Sequence, residues 1–243
     1  DKSTLVSLAG AVGVSTTEKG VGVAIGWNRV SNGITAYINS STVSSTNGAV
    51  DVTARSNALL VGIGAAGGGG KSTSGAGTLQ INSIANQIDA HINNGSNVTA
   101  KGNVSVIASE AAALYSAALA VGVSTEGSAI GAVLSYNYVG TTANMADPNA
   151  ISVADAPSTS DADGSKNVSV TGTGTVTAAG VTAYIDSSAV AADASVIVLA
   201  GFDDPNKSLE SSPLLAGIKT VNPSTVVTTT NGTIGLTSHG YKT

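Results

Sequence analysis

Ala11-Val12-Gly13-Val14-Ser15-Thr16 recurs letter for letter as Ala120-Val121-Gly122-Val123-Ser124-Thr125, an offset of 109 residues. Self-similarity at a fixed spacing signals a repeat architecture, so this hexapeptide frames the rest of the chain. Each copy leads through a Gly/Ala arm to an aromatic-Asn pair, Trp27-Asn28 in one and Tyr136-Asn137 in the other. Midway, Gly75–Asn82 holds the same slot, so that Asn28, Asn82 and Asn137 are spaced 54 and 55 apart.

Two further blocks follow each arm. Ile34-Thr35-Ala36-Tyr37-Ile38 matches Ile88-Asp89-Ala90-His91-Ile92; Thr141–Met145 fills the slot weakly and Val181-Thr182-Ala183-Tyr184-Ile185 clearly. The third block runs Val50–Ala54, then Val104–Ala108, then Val168-Ser169-Val170. The expectation is a unit of about 54 residues present three and a half times, with an insertion between Met145 and Val168. The blocks alternate with period two, which is the strand signature. Ile34, Ala36 and Ile38 share the inward face, as do Ile88, Ala90, Ile92 and Val181, Ala183, Ile185. Asn-Gly pairs and Ser/Thr clusters between blocks supply turn chemistry. Glu110–Ala120 has helix propensity, but its aligned partners are rich in Gly and Val, so it reads as strand.

Inward faces of Val, Ile, Ala and Gly require a close partner. A parallel β-solenoid supplies one by stacking equivalent residues into ladders, in which the recurrent asparagines bond amide to amide. Coils of ~18–27 residues would place two or three in each unit. The alternative is an antiparallel β-sandwich, with Thr16–Gly20 as a hairpin turn between Val14 and Val21.

Composition narrows the function. Charged residues are 10% of the 243, against roughly 25% in average proteins. A net charge of −5 disfavours nucleic acid as a partner. The absence of cysteine excludes a disulfide scaffold and Cys-ligated metal. No run reaches the ~18 apolar residues of a membrane helix, so no membrane insertion is expected. The chain opens without an initiator Met or signal-peptide pattern, as expected of a processed product or a piece of something longer.

The stretches Gly20–Asn28, Thr35–Ile38 and Asn103–Ser109 resemble the repeats of large bacterial exoproteins, the haemagglutinin-like and autotransporter-like adhesins. That resemblance spans about Leu5–Ala200. It implies an all-β, right-handed parallel β-helix working as a stalk or adhesive surface of a secreted or surface-displayed protein, extracellular and without catalysis. Residues 1–201 form the repeat region, and 202–243 lie outside it as a cap, a linker or the start of another module.

Candidate chemistry is sparse. His91 and His239 are far apart, and neither lies in a nucleophile motif. Polysaccharide-cleaving sites need clustered carboxylates with basic residues, whereas Asp51 and Asp89 are isolated in the sequence. No enzyme and no cofactor is expected. Asp161-Ala162-Asp163-Gly164 has the core of a calcium loop, but Thr159 stands where the first Asp belongs and no closing Glu follows in place, so Asp161 and Asp163 are weak metal candidates. Gly67–Ser72 lacks the leading glycine of a phosphate loop, since position 65 is Ala65, and reads as a flexible turn. The remaining candidates are Tyr37, His91, Asn144 and Tyr184, one outward row in successive units. Their aromatic rings are the best contact points for host or matrix glycans or for neighbouring copies of the same chain.

Overall fold

The computed structural model describes residues 1–140, 151–154, 167–171, 180–194, 196–202, 215–219, 225–230, 233–238 and 240–242. The fold is all-β, with parallel strands stacked in sheets and no helix among the described residues. The first rung comprises β1 (Thr4–Val14), β2 (Lys19–Val30), β3 (Gly33–Asn39), β4 (Thr42–Ser45) and β5 (Val50–Ser56). The second repeats it as β6 (Leu59–Gly70), β7 (Thr73–Ile84), β8 (Gln87–Asn93), β9 (Asn97–Ala100) and β10 (Val104–Glu110). Each strand pairs in parallel with its counterpart, as in Thr4 opposite Leu59 and Ile34 opposite Ile88.

One repeat therefore makes one rung, which corrects the expectation of two or three short coils per unit. The reason is the arm. Its two strands do not form separate coils; they belong to different sheets that face each other and join through Ser15–Glu18. The hairpin of the sandwich alternative is likewise not formed. Ser15 N–H bonds the Gly69 carbonyl at 2.8 Å, one rung away, rather than a strand of its own rung.

The third rung contains β11 (Ala113–Ser124) and β12 (Ser128–Gly140), so Glu110–Ala120 is extended as expected. After β12 come β13 (Ile151–Ala154) and β14 (Asn167–Thr171), which form the far edges of the sheets that contain β3-β8 and β4-β9. Next to β8, β9 and β10 stand β15 (Val181–Asp186), β16 (Ala189–Ala192) and β17 (Val196–Phe202), which continue them in parallel. Two assignments change. Val181–Ile185 belongs to the third rung, not a fourth, and Val196-Ile197-Val198, not Val168–Val170, stacks on Val104–Val106. Thr141–Met145 and Asn144 lie outside the described residues. Four last strands, β18 (Leu215–Lys219), β19 (Thr225–Thr230), β20 (Thr233–Ser238) and β21 (Gly240–Lys242), pair antiparallel with β17, β16, β15 and β12 in that order.

The body core is the inward set. Ile88, Ala90, Ile92, Val181, Ala183 and Ile185 are fully buried, while Ile34, Ala36 and Ile38 of the first rung pack against them partly buried. Opposite them lie Val52, Ala54, Val104, Val106, Ala108 and Val198. The corner after β3, β8 and β15 is built alike in every rung. Ser40, Asn94 and Ser187 take positive φ of 47°, 55° and 45°. Ser41, Ser96 and Ser188 donate their hydroxyls to the carbonyls of Asn39, Asn93 and Asp186 at 2.7, 2.7 and 2.8 Å. The Ser/Thr clusters are thus repeated side-chain turns.

The arm is a thin fin of two sheets, β1-β6-β11 and β2-β7-β12, with Gly and Ala along the seam. A methyl group on Gly13 would fall on the Val21 carbonyl oxygen, and one on Gly68 on that of Gly75. Backbone touches backbone there, which only glycine allows. The Gly67–Gly70 run is accordingly strand rather than a flexible turn, and the turn is confined to Lys71 and Ser72.

Candidate binding surface

Two-residue alternation points Tyr37, His91 and Tyr184 away from the Ile/Ala core, and parallel in-register pairing sets each above the next. The rings form a continuous stack. Tyr37 and His91 have centroids 5.4 Å apart and His91 and Tyr184 4.8 Å, each pair at 12° between planes. Asp89, two residues before His91 on the same face, meets its Nδ1 at 3.0 Å. Burial, then the nearby carboxylates of Asp89 and Asp186, pushes the Tyr184 phenol up to about 12.

This geometry limits what the row can do. A sugar ring binds an aromatic across its face, and here both faces of His91 are covered by tyrosines. Of the two outer faces of the stack, that of Tyr37, a residue 62% exposed on the first rung, is open, whereas Tyr184 is half-buried and has Gly235 of β20 on its outer side. The three expected row members are brought together as neighbours. Asp161 and Asp163 lie outside the described residues. Among the described residues no group of three or more His, Asp or Glu could hold a metal ion, and no helix is long and apolar enough to cross a membrane.

A second row runs inside. Asn28 Nδ2 donates to Asn82 Oδ1 at 2.7 Å, and Asn82 Nδ2 donates to Asn137 Oδ1 at 3.0 Å and to Ser116 Oγ at 3.1 Å. Gly62 leaves the room that the Asn82 amide occupies. The ladder expected from the 54- and 55-residue spacing is present, facing inward.

Sequence reasoning missed the polar junction between fin and body. The Asn32 N–H donates to Asn86 Oδ1 at 2.8 Å; Asn86 Nδ2 donates to Ser56 Oγ at 3.1 Å and Glu110 Oε1 at 2.5 Å. Glu110 is fully buried, and its Oε2 has no hydrogen-bond partner. Burial pushes its carboxyl up to about 7, offset in part by the Asn86 amide. No local signal marks it, because its register partner Ser56 is not acidic.

Comparison with known proteins finds no family, no curated protein and no solved structure that matches this chain.

Proposed function

We propose that this chain is a structural and adhesive segment of a large secreted or surface-displayed bacterial protein, built as a right-handed parallel β-helix and performing no catalysis. The observation that carries this reading is the parallel stack itself. Strands pair in register with their counterparts at a spacing of 54 or 55, or of 92 or 93 where β15, β16 and β17 close the third rung, and the polar rows that recur are spent on joining one rung to the next. Such an element transmits length and stiffness and displays its outward faces. Its partners are host or matrix glycans or neighbouring copies, its setting is extracellular, and residues 202–243 serve as a cap, a linker or the start of another module. A glycan-binding module is the second reading, supported by the uncovered face of Tyr37.

The double substitution Tyr37→Ser, Tyr184→Ser, followed by glycan-binding and cell-adhesion assays alongside thermal melting, separates the readings. A spacer loses thermal stability, because His91 loses both stacked rings, and shows no ring-dependent glycan binding. Loss of binding at unchanged stability favours the glycan-binding module. Polysaccharide cleavage by the wild-type chain would overturn both.

A further inference from the structure

We propose that Asn47 is a site of spontaneous covalent modification, at which the folded chain closes a succinimide ring with Gly48 and reopens it as aspartate or isoaspartate. The proposal does not depend on what the segment adheres to. Asn-Gly pairs are prone to this chemistry because glycine has no Cβ to obstruct its own nitrogen. The chain has four: Asn32-Gly33, Asn47-Gly48, Asn94-Gly95 and Asn231-Gly232, of which the last lies outside the described residues. The same dipeptide therefore stands in three described settings, and the fold treats them differently.

At Asn94-Gly95 the fold blocks the reaction. Gly95 N–H, the nucleophile, donates to the Ser187 carbonyl at 2.8 Å, and Asn94 Nδ2 donates to Asn39 Oδ1 at 2.8 Å. Glycine is there for its backbone, since φ is 55° at Asn94 and 72° at Gly95. At Asn32-Gly33 the amide is held instead. Asn32 Nδ2 donates to Asp1 Oδ2 at 2.9 Å and to Ser3 Oγ. Its own N–H donates to Asn86 Oδ1 at 2.8 Å, and its carbonyl accepts from Gln87 N–H at 2.8 Å. Asn47 has no such restraint. It is exposed in the bend between β4 and β5, and its amide bonds nothing among the described residues. Gly48 N–H donates to the Ser45 hydroxyl at 3.2 Å, a bond that rotation of one side chain releases. Nor does the backbone need glycine at 48: its φ is not positive, and an added methyl group would meet only Ser45 Oγ, at 3.8 Å.

Water is the one co-reactant. Gly48 N attacks Asn47 Cγ, and the new Cγ–N bond forms as Cγ–Nδ2 breaks. The proton of the attacking N–H goes to water, while Nδ2 takes a proton from water and leaves as ammonia. A second water then opens the ring at either carbonyl. Opening at one restores the ordinary main chain with a new carboxylate; opening at the other runs the main chain through Cγ, one carbon longer. The longer path has no slack to use. Gly102 N–H bonds the Gly48 carbonyl at 2.9 Å, Val50 N–H the Asn103 carbonyl at 2.8 Å and Lys101 N–H the Ser45 carbonyl at 3.1 Å, so the next rung fastens the bend on both sides of Asn47. A methyl group on Gly102 would lie 3.0 Å from the Gly48 carbonyl carbon and from Ala49 N, so the two main chains are in contact. Isoaspartate therefore loosens β5 from β10 at this corner.

Incubating the folded 243-residue chain at mildly alkaline pH, with peptide mapping and isoaspartyl methyltransferase labelling over time, tests this. Conversion at Asn47 should outpace conversion at Asn32 and Asn94 at least about tenfold, because each of those must first open native hydrogen bonds. In urea the pairs should react at comparable rates; selectivity for Asn47 that persists there would overturn the fold as its cause. Gly48→Ala should slow conversion several-fold at an unchanged melting temperature. Isoaspartate-bearing chains should melt below unmodified ones, and equal melting would overturn the loosening of β5. The proposal as a whole is overturned if Asn47 stays intact in the folded chain, if Asn32 or Asn94 converts as fast, or if Gly48→Ala converts like wild type. Glycan-binding and adhesion results leave all of these outcomes untouched, so this proposal and the functional reading fail separately.

Discussion

Asn28 and Asn82, separated by 54 residues of chain, are joined side chain to side chain at 2.7 Å inside the fold. Asn82 is fully buried and bonds both Asn28 and Asn137, so it is the middle rung of the ladder. Parallel pairing makes this bond recur: each amide donates to the next rung and accepts from the one before. The ladder therefore reports rung spacing directly.

Replacing Asn82 by Ala should lower unfolding free energy by about 3 kcal/mol, because the buried amide of Asn28 loses its acceptor and Asn137 loses its donor. Urea unfolding of wild type and variant measures it. A loss below about 0.5 kcal/mol would mean that the ladder contributes no net stability.

The fin's glycines divide into two populations, and a matched pair of substitutions reads the division. Gly68→Ala puts a methyl group on the Gly75 carbonyl oxygen and should cost about 3 kcal/mol as the sheets are forced apart. Gly77→Ala adds a methyl group that meets only Val23 Cγ2, at 3.9 Å, and should be neutral or stabilising by up to about 1 kcal/mol. Thermal melting compares them, and equal effects would contradict the backbone-to-backbone seam.

Ala90 is fully buried between Ala36 and Ala183 in the stack. Ala90→Leu adds volume to a filled interior and should destabilise by ~1–3 kcal/mol. The same change at Ala36, on the partly buried first rung, should cost less. Chemical denaturation of both variants establishes the order, and a larger loss at Ala36 would place the core elsewhere.

Glu110 makes stability depend on pH. Its carboxyl titrates near 4.5 when unfolded and is raised to about 7 by burial in the folded chain. Between those values the folded chain keeps a proton that the unfolded chain has released, so stability is greatest below 4.5 and falls as pH rises through about 7. The loss is on the order of 3 kcal/mol. Glu110→Gln preserves an acceptor for Asn86 and should flatten this dependence while stabilising the chain at neutral pH. Denaturant unfolding across the window is the measurement; identical slopes in wild type and variant would exclude Glu110 as the source.

Much of this molecule is local in origin. Period-two alternation determines that Ile88, Ala90 and Ile92 share a buried face, and the 54- and 55-residue recurrence of asparagine determines that Asn28, Asn82 and Asn137 are equivalent. Equivalence, however, is not adjacency. That His91 stacks directly on Tyr184, 93 positions along the chain rather than 54 or 55, depends on which strand supplies the hydrogen bonds of β8, and that choice is made only when distant segments close the rung. The same holds for the glycines: Gly67 and Gly68 are identical letters, and only the sheet packed across the seam makes one indispensable and leaves the other facing solvent. Glu110 shows it most sharply, because a carboxylate beside an alanine run carries no mark of burial until three separate strands of chain enclose it. Sequence alternation determined the faces; tertiary closure decided the neighbours, because hydrogen-bond register and desolvation arise between residues that the chain itself keeps far apart.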